Sequence, residues 1–181
     1  TSLRSIILAD TQKTIICPGD VLDITQLDEE RNRIASELNN RGYFDFTVNN
    51  ISYEVDTIGL GTRAKVRMII LPTLVGYDER GAQIFEDNSV YRLRNITVYP
   101  TYDPMLRSTT GFRSNAVIDT TYRSGLTIIR DVNLKPQLRN SILRNTIPLY
   151  PNYIYNAKQV NYYTSLGNPH TLYGIFVDLN A

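Results

Sequence analysis

The sequence predicts an α+β fold made of tandem small units, each with two helices packed on one face of a three-stranded mixed sheet. Three observations predict it. Residues Pro18 to Leu71 read in order as a proline-glycine loop, an amphipathic helix, a glycine stop, an aromatic pair and alternating strand patterns. A looser copy of that order runs from Pro151 to Leu179. Between them, Pro72 to Ser89 is a Gly-, Asp- and Glu-containing stretch that reads as a connector and a unit boundary.

The first copy is read from its start. Leu3, Ile6 and Ile7 fall at i, i+3 and i+4, the spacing of a short one-sided helix. Thr14 to Cys17 is an apolar run, and Cys17 is expected to be a small buried hydrophobe. Pro18-Gly19 breaks the chain. Thr25 followed by Asp28 suggests a capping-box-like start, which puts Asp28, Glu29 and Glu30 on a solvated helix N-terminus. Leu27, Ile34 and Leu38 line one helix face, and Gly42 stands where a left-handed cap belongs. Phe44, Phe46 and Val48 then alternate with polar residues. The alternation resumes one step late at Ile51, Tyr53 and Val55, which reads as a β-bulge at Asn49-Asn50. After a turn at Asp56 to Gly61, Ala64, Val66, Met68 and Ile70 are expected to face inward.

The second copy opens with a strand from Val90 to Tyr99. Its apolar phase slips between Leu93 and Ile96. Pro100 to Ser114 reads as a loop, and Ala116–Tyr122 with Leu126–Arg130 as a hairpin turning at Arg123-Ser124-Gly125. Pro136 suits a first helical turn, with Leu138 and Ile142 on one face. Asn156 caps a helix bearing Val160, Tyr163 and Leu166, and Gly167 ends it. Thr171 to Leu179 reads as a final strand.

Composition narrows the function classes. The chain has 181 residues, a formal charge of +1 and 42% apolar residues, an ordinary globular balance that demands no polyanionic partner. Thirteen tyrosines and no tryptophan suit half-buried strand surfaces. One cysteine forbids an intrachain disulfide, and one histidine, His170, cannot complete a zinc site with it. Gly59, Gly61 and Gly76 lack the spacing of a phosphate-binding loop. Arg92 and Arg94 beside Tyr91 and Tyr99 read as an ordinary strand face and not as a nucleic-acid surface. Asp119 and Asp131 have no partner that marks acid–base chemistry. No catalytic residue, metal ligand or cofactor is expected.

Set side by side, the halves imply a β-α-α-β-β unit, with the leading strand absent from the first copy and the closing strand absent from the second. The expected boundaries are 1–74, a linker over 75–89, and 90–181 with an insertion at about 100–131. This unit resembles the POTRA domain of the BamA/TamA outer-membrane assembly superfamily. In the first copy the resemblance rests on Gly19, Leu27, Arg31, Ile34, Leu38, Gly42, Tyr43, Phe44 and Phe46. In the second it rests on Pro151, Tyr155, Val160, Tyr163 and Leu166. The stretches YRLRNITVYPTYD and DTTYRSGLTIIRD resemble the Bacteroidetes version, TamL, in which a hairpin is inserted after the first strand. Gly167-Asn168-Pro169-His170 departs from the Gly-aromatic junction, and Leu172 stands where Phe is usual.

The resemblance implies a periplasmic arm on the inner side of the bacterial outer membrane. Its implied partners are a β-barrel in the same polypeptide, unfolded outer-membrane proteins, and periplasmic or lipoprotein accessory subunits. It implies no nucleic acid, no cofactor and no enzyme activity. Clients would add as a strand to an open sheet edge. The candidate edge is Asp45, Phe46, Thr47, Val48, Asn49, Asn50, Ile51, Ser52, Tyr53, Glu54 and Val55. Proline at Thr47 or Ser52 is expected to block it. The alternatives are an arm dedicated to one secreted substrate and a purely structural docking arm. Asp56-Thr57-Ile58 and Asp119-Thr120-Thr121 also resemble O-glycosylation acceptors of exported Bacteroidetes proteins, with Thr57 and Thr120 as the acceptors, both in or near turns.

Overall fold

A computed structural model describes residues 3–59, 61–101, 115–135, 139–165 and 174–181. The fold is α+β and divides into two compact units, Thr1–Ser89 and Val90–Ala181. Leu166, Gly167, His170, Leu172, Pro136 and Leu138 lie outside the described residues.

Unit 1 begins with α1 (Leu3–Ala9), as the i, i+3, i+4 spacing requires. A Cys17–Asp20 turn follows, closed by Asp20 N–H on the Cys17 carbonyl at 3.2 Å, with Gly19 at φ +100°. Pro18 then Gly19 supply the two central conformations of such a turn. Cys17 is exposed, which corrects the expected buried position: its N–H is held by the Asp20 carboxylate at 2.9 Å, and none of the residues from Thr11 to Gln26 is buried.

Helix α2 spans Ile24–Asn39. Its N-cap is Asp23, whose carboxylate accepts from Thr25 N–H at 2.8 Å, so the expected Thr25 cap is displaced by two residues. Leu27, Ile34, Ala35 and Leu38 are buried on one face. Glu30 is buried too, on the same helix, where a solvated carboxylate had been expected. Past the helix, Gly42 adopts φ +105° and lets Tyr43 N–H reach the Leu38 carbonyl at 3.1 Å.

The expected strand through Phe44, Phe46 and Val48 does not form. Residues 44–46 are turn, and Val48–Asn50 is one 3-10 turn. Thr47 and Asn50 form its capping box: Asn50 Oδ1 accepts from Thr47 N–H at 2.8 Å, and the Thr47 hydroxyl oxygen accepts from Asn49 N–H at 3.3 Å. The phase slip read as a bulge is thus the 3-10 turn itself, which also displaces alternation by one residue. Strand β1 (Ile51–Asp56) then pairs antiparallel with β2 (Lys65–Ile70). Ile51, Tyr53 and Val55 stand opposite Ile70, Met68 and Val66. Only the base of this hairpin packs against α1 and α2. Val55, Val66 and Met68 are exposed, and so is Ala64, which corrects the inward reading of β2.

Pro72 to Ser89 is not a bare connector. It holds a second hairpin, β3 (Thr73–Tyr77) and β4 (Gln83–Glu86), in a two-stranded sheet of its own. The Asp78 carboxylate accepts from Arg80 N–H and Ala82 N–H, both at 2.8 Å, and Gly81 takes φ +80°. That is a turn closed by an Asx side chain and a left-handed glycine.

Unit 2 is built on one four-stranded sheet in the order β6-β7-β5-β8. The strands are β5 (Arg92–Tyr99), β6 (Ile118–Arg123), β7 (Leu126–Asp131) and β8 (Gly174–Asn180). β7 runs parallel to β5, while β8 and β6 are antiparallel to their neighbours. The expected inserted hairpin is therefore part of the sheet, and it supplies an inner strand. This makes four strands where three were expected. The predicted slip in β5 is real: the register shifts between Leu93 and Asn95, which keeps Leu93, Ile96 and Val98 all buried. Ser124 at φ +47° and Gly125 at φ +83° make the β6–β7 turn.

Helices α3 (Asn140–Thr146) and α4 (Ala157–Ser165) complete the unit. Asn156 caps α4 as expected, accepting Gln159 N–H at 2.9 Å. In α3 the buried residues are Leu143 and Arg144; Ile142, expected on an apolar face, is exposed. The core joins Leu143, Ile147, Leu149, Tyr155 and Val160 to Ile96, Val98, Leu126, Ile128 and Ile175 of the sheet.

Candidate functional site

The segment that matters is the one after α2, and its placement is heavily determined. Arg31 on α2 donates through Nε and Nη2 to the Val48 carbonyl at 3.2 and 2.8 Å. Asn39 Nδ2 donates to the carbonyls of Tyr43 and Phe46 at 2.8 and 2.7 Å. Tyr43 and Phe46 are buried beneath these bonds, while Phe44 is half exposed. Asn50 is also buried. Its Nδ2 donates to Thr73 Oγ1 at 3.0 Å, and Asn88 Nδ2 donates to the Leu71 carbonyl at 3.1 Å. Buried amides satisfied on several sides hold backbone segments in one register. Here they fasten the start of β1, the end of β2 and both ends of the β3–β4 hairpin at one point.

Of the expected edge, Asp45 to Asn50 is turn and 3-10 structure, and Ile51 to Val55 is strand. Strand β1 has a single neighbour, β2, among the described residues. Which backbone groups turn outward follows from one bond. Leu71 N–H donates to the Asn50 carbonyl at 2.8 Å, and the register places Asn50 opposite Leu71. In an antiparallel ladder such bond-exchanging positions recur every second residue. Ser52 and Glu54 therefore bond to β2, while Tyr53 and Val55 direct N–H and C=O away from it; Ile51 also turns away, but its N–H is taken by the Val48 carbonyl. Proline at Ser52 would break the hairpin, and proline at Thr47 would remove its N–H bond to Asn50; neither isolates the edge. Glu54 and Arg67 make a 3.4 Å pair across the polar face.

A second cluster fixes the base of the unit. Glu30 receives Thr14 Oγ1 at 2.9 Å, Ile15 N–H at 3.2 Å, and Arg33 Nε and Nη2 at 2.9 and 2.8 Å. Arg33 Nη1 also reaches Asp10 at 2.6 Å, and Lys13 pairs with Asp10 at 2.9 Å. Burial raises the Glu30 carboxyl, but the donors from Arg33, Ile15 and Thr14 outweigh it and leave its pKa below the ordinary value. Hydrogen bonds from Lys13 and Arg33 hold the Asp10 carboxyl low. Every donor here comes from the chain itself, so the cluster ties the loop after α1 to α2. Burial raises the phenols of Tyr53 and Tyr155.

In unit 2 the buried guanidinium of Arg144 plays a comparable part. It donates to the carbonyls of Ser124, Ile147 and Leu149 and lies 4.0 Å from the centre of the Tyr150 ring. Among the described residues, no group of three or more His, Cys, Asp and Glu could hold a metal ion, and no helix is long and apolar enough to cross a membrane. Thr57 is exposed just after β1. Thr120 is exposed but lies inside β6, opposite Ile129, and not in a turn.

Residues 10–70 match the family model described as POTRA, surface antigen variable number repeat. The matched stretch lies within unit 1 and supports a POTRA-type domain there. Domains of this type bind protein partners and occur on the periplasmic side of outer-membrane assembly proteins. Neither the comparison with curated proteins nor that with solved structures found a match.

Proposed function

We propose that the chain is the periplasmic POTRA arm of a factor that assembles or inserts outer-membrane β-barrel proteins. Unfolded clients or accessory proteins bind by adding an extended segment to β1. The observation that carries this reading is the one-sided pairing of β1, which leaves the backbone groups of Tyr53 and Val55 turned away from β2, the one strand paired with β1 among the described residues. Main-chain bonds ask no particular side chains of the client. Glu54 and Asp56 are the only charges on the strand, so little guards this edge. The TamL-like organisation, with unit 2 as a second POTRA-like domain of the same arm, belongs to the same proposal.

Val55→Pro tests it. The substitution removes an outward N–H and no ladder bond, a position where an edge strand tolerates proline. Fluorescence anisotropy with a labelled, alternating apolar–polar peptide should show binding weakened about tenfold or more, with an unchanged far-UV circular dichroism spectrum. Unchanged affinity in the folded variant would refute strand addition at β1.

A further inference from the structure

The chain's near-zero charge conceals two strongly charged units. Residues 1–89 hold 9 Lys and Arg against 14 Asp and Glu, a formal charge of −5; residues 90–181 hold 10 against 4, a charge of +6. Opposite fields of this size steer association between complementary surfaces.

Each unit also presents an exposed surface on which the charge is combined with apolar area. In unit 1 this is the β3–β4 hairpin. Leu74, Val75, Tyr77, Ile84 and Phe85 are 42 to 63% exposed, and Leu74 stands opposite Phe85. Between Thr73 and Ser89 the acidic residues are Asp78, Glu79, Glu86 and Asp87, against Arg80 as the sole base. An isolated two-stranded hairpin is marginal in water, and an exposed apolar patch of this kind marks an interface.

In unit 2 the matching surface is the sheet end where β5 begins. Arg92 and Arg94 lie on β5, and Arg123 ends β6 beside the Ser124-Gly125 turn. Leu93 N–H donates to the Tyr153 carbonyl at 2.8 Å, and Pro151 sits against Gly125, so Tyr150, Tyr153 and Ile154 occupy the same end. All of these arginines, tyrosines and Ile154 are exposed. Arg94 and Arg123 pair with no carboxylate among the described residues; the acid nearby is Asp178, which accepts from Asn95 Nδ2 at 3.2 Å. Arginine interleaved with tyrosine is the composition of a protein-binding surface.

We propose that the acidic β3–β4 hairpin of one copy docks on the arginine–tyrosine end of unit 2 of a second copy. The occupant follows from complementarity: the acidic apolar surface and the basic aromatic one are both present on the same chain. Because the two patches differ, the contact is head-to-tail and can repeat from copy to copy.

Sedimentation velocity of the 181-residue chain tests this. At 50 mM NaCl the sedimentation coefficient should rise with protein concentration, and 500 mM NaCl should abolish the rise. The pair Arg94→Glu and Arg123→Glu, and separately Glu79→Lys and Glu86→Lys, should each give a monomer with an unchanged circular dichroism spectrum. An equimolar mixture of the two variants should associate again, since each retains one native patch. Leu74→Ser keeps every charge and should also weaken association. A chain that stays monomeric at 50 mM NaCl, or association that survives either charge reversal, overturns the proposal. So does binding to phosphatidylglycerol vesicles by a monomeric chain, lost with the arginines, because it assigns that end to a lipid surface.

Discussion

Units 1 and 2 each carry two helices and four strands among the described residues, yet they deploy the strands differently. Unit 2 joins all four into one sheet, and β5, β7 and β8 each place side chains in its core. Unit 1 splits its four into two hairpins, and none of β2, β3 and β4 has a buried residue. Its core comes from α2, the loop after it and Ile51. The difference teaches where stability and binding capacity separate. A completed sheet satisfies its inner strands from both sides. A two-stranded sheet is held at one end by α2 and the Asn50 knot, and keeps edges and apolar tips available.

The largest effect that would sharpen this contrast is in unit 2. Ile128 is fully buried on β7, and Ile128→Ala should cost about 3–4 kcal/mol. Thermal unfolding followed by unit-specific amide signals should show unit 2 melting earlier while unit 1 is unchanged. Glu30→Gln should cost unit 1 about 2 kcal/mol, because Arg33 loses one charged partner and keeps Asp10. The same carboxylates give a pH dependence. Asp10 and Glu30 have folded pKa values below the ordinary ones, so the unfolded chain takes up protons first. Their contribution is fully present above pH of about 5 and is lost as pH falls through the folded values. A denaturant midpoint measured between pH 6 and pH 3 should fall for the wild type and fall less for Glu30→Gln.

Gly125→Ala should destabilise unit 2 by about 2 kcal/mol, since its φ is +83° and a Cβ would stand 2.7 Å from Pro151 Cδ. The smallest effect should come from Val66→Thr on the exposed hairpin tip, within about 0.5 kcal/mol in chemical denaturation. A large loss there would mean that the tip is packed after all, and would erase the contrast between the units.

Much of this was legible because local chemistry set it. The i, i+4 apolar spacing marked α1 and α2, Asn156 marked its cap, Ser124-Gly125 marked a left-handed turn, and the slip between Leu93 and Ile96 marked a real bulge. The misses share a cause: side chains that act at long range. Asn39 and Arg31 recruit the carbonyls of Tyr43, Phe46 and Val48, and Asn50 accepts the Thr47 N–H, so an alternating pattern there became a turn. Glu30 is buried because Thr14, Ile15 and Arg33 converge on it, which spacing along α2 alone does not reveal. The β3–β4 hairpin did have a signal, Asp78 followed three residues later by Gly81 between two apolar runs, but its turn residues outweighed its short strands. Arg144 had none, since its partners are carbonyls. The opposite charges of the units were countable from the start and were hidden by averaging over the whole chain.

The most direct test of the central claim is an amide titration by NMR with an extended client-like peptide. Strand addition at β1 predicts that the amides of Tyr53 and Val55 shift and become protected from exchange, while those of Ser52 and Glu54, already bonded to β2, and of Ile51, already bonded to the Val48 carbonyl, change little. Protection confined to β8, or no change anywhere in Ile51–Asp56, would contradict it.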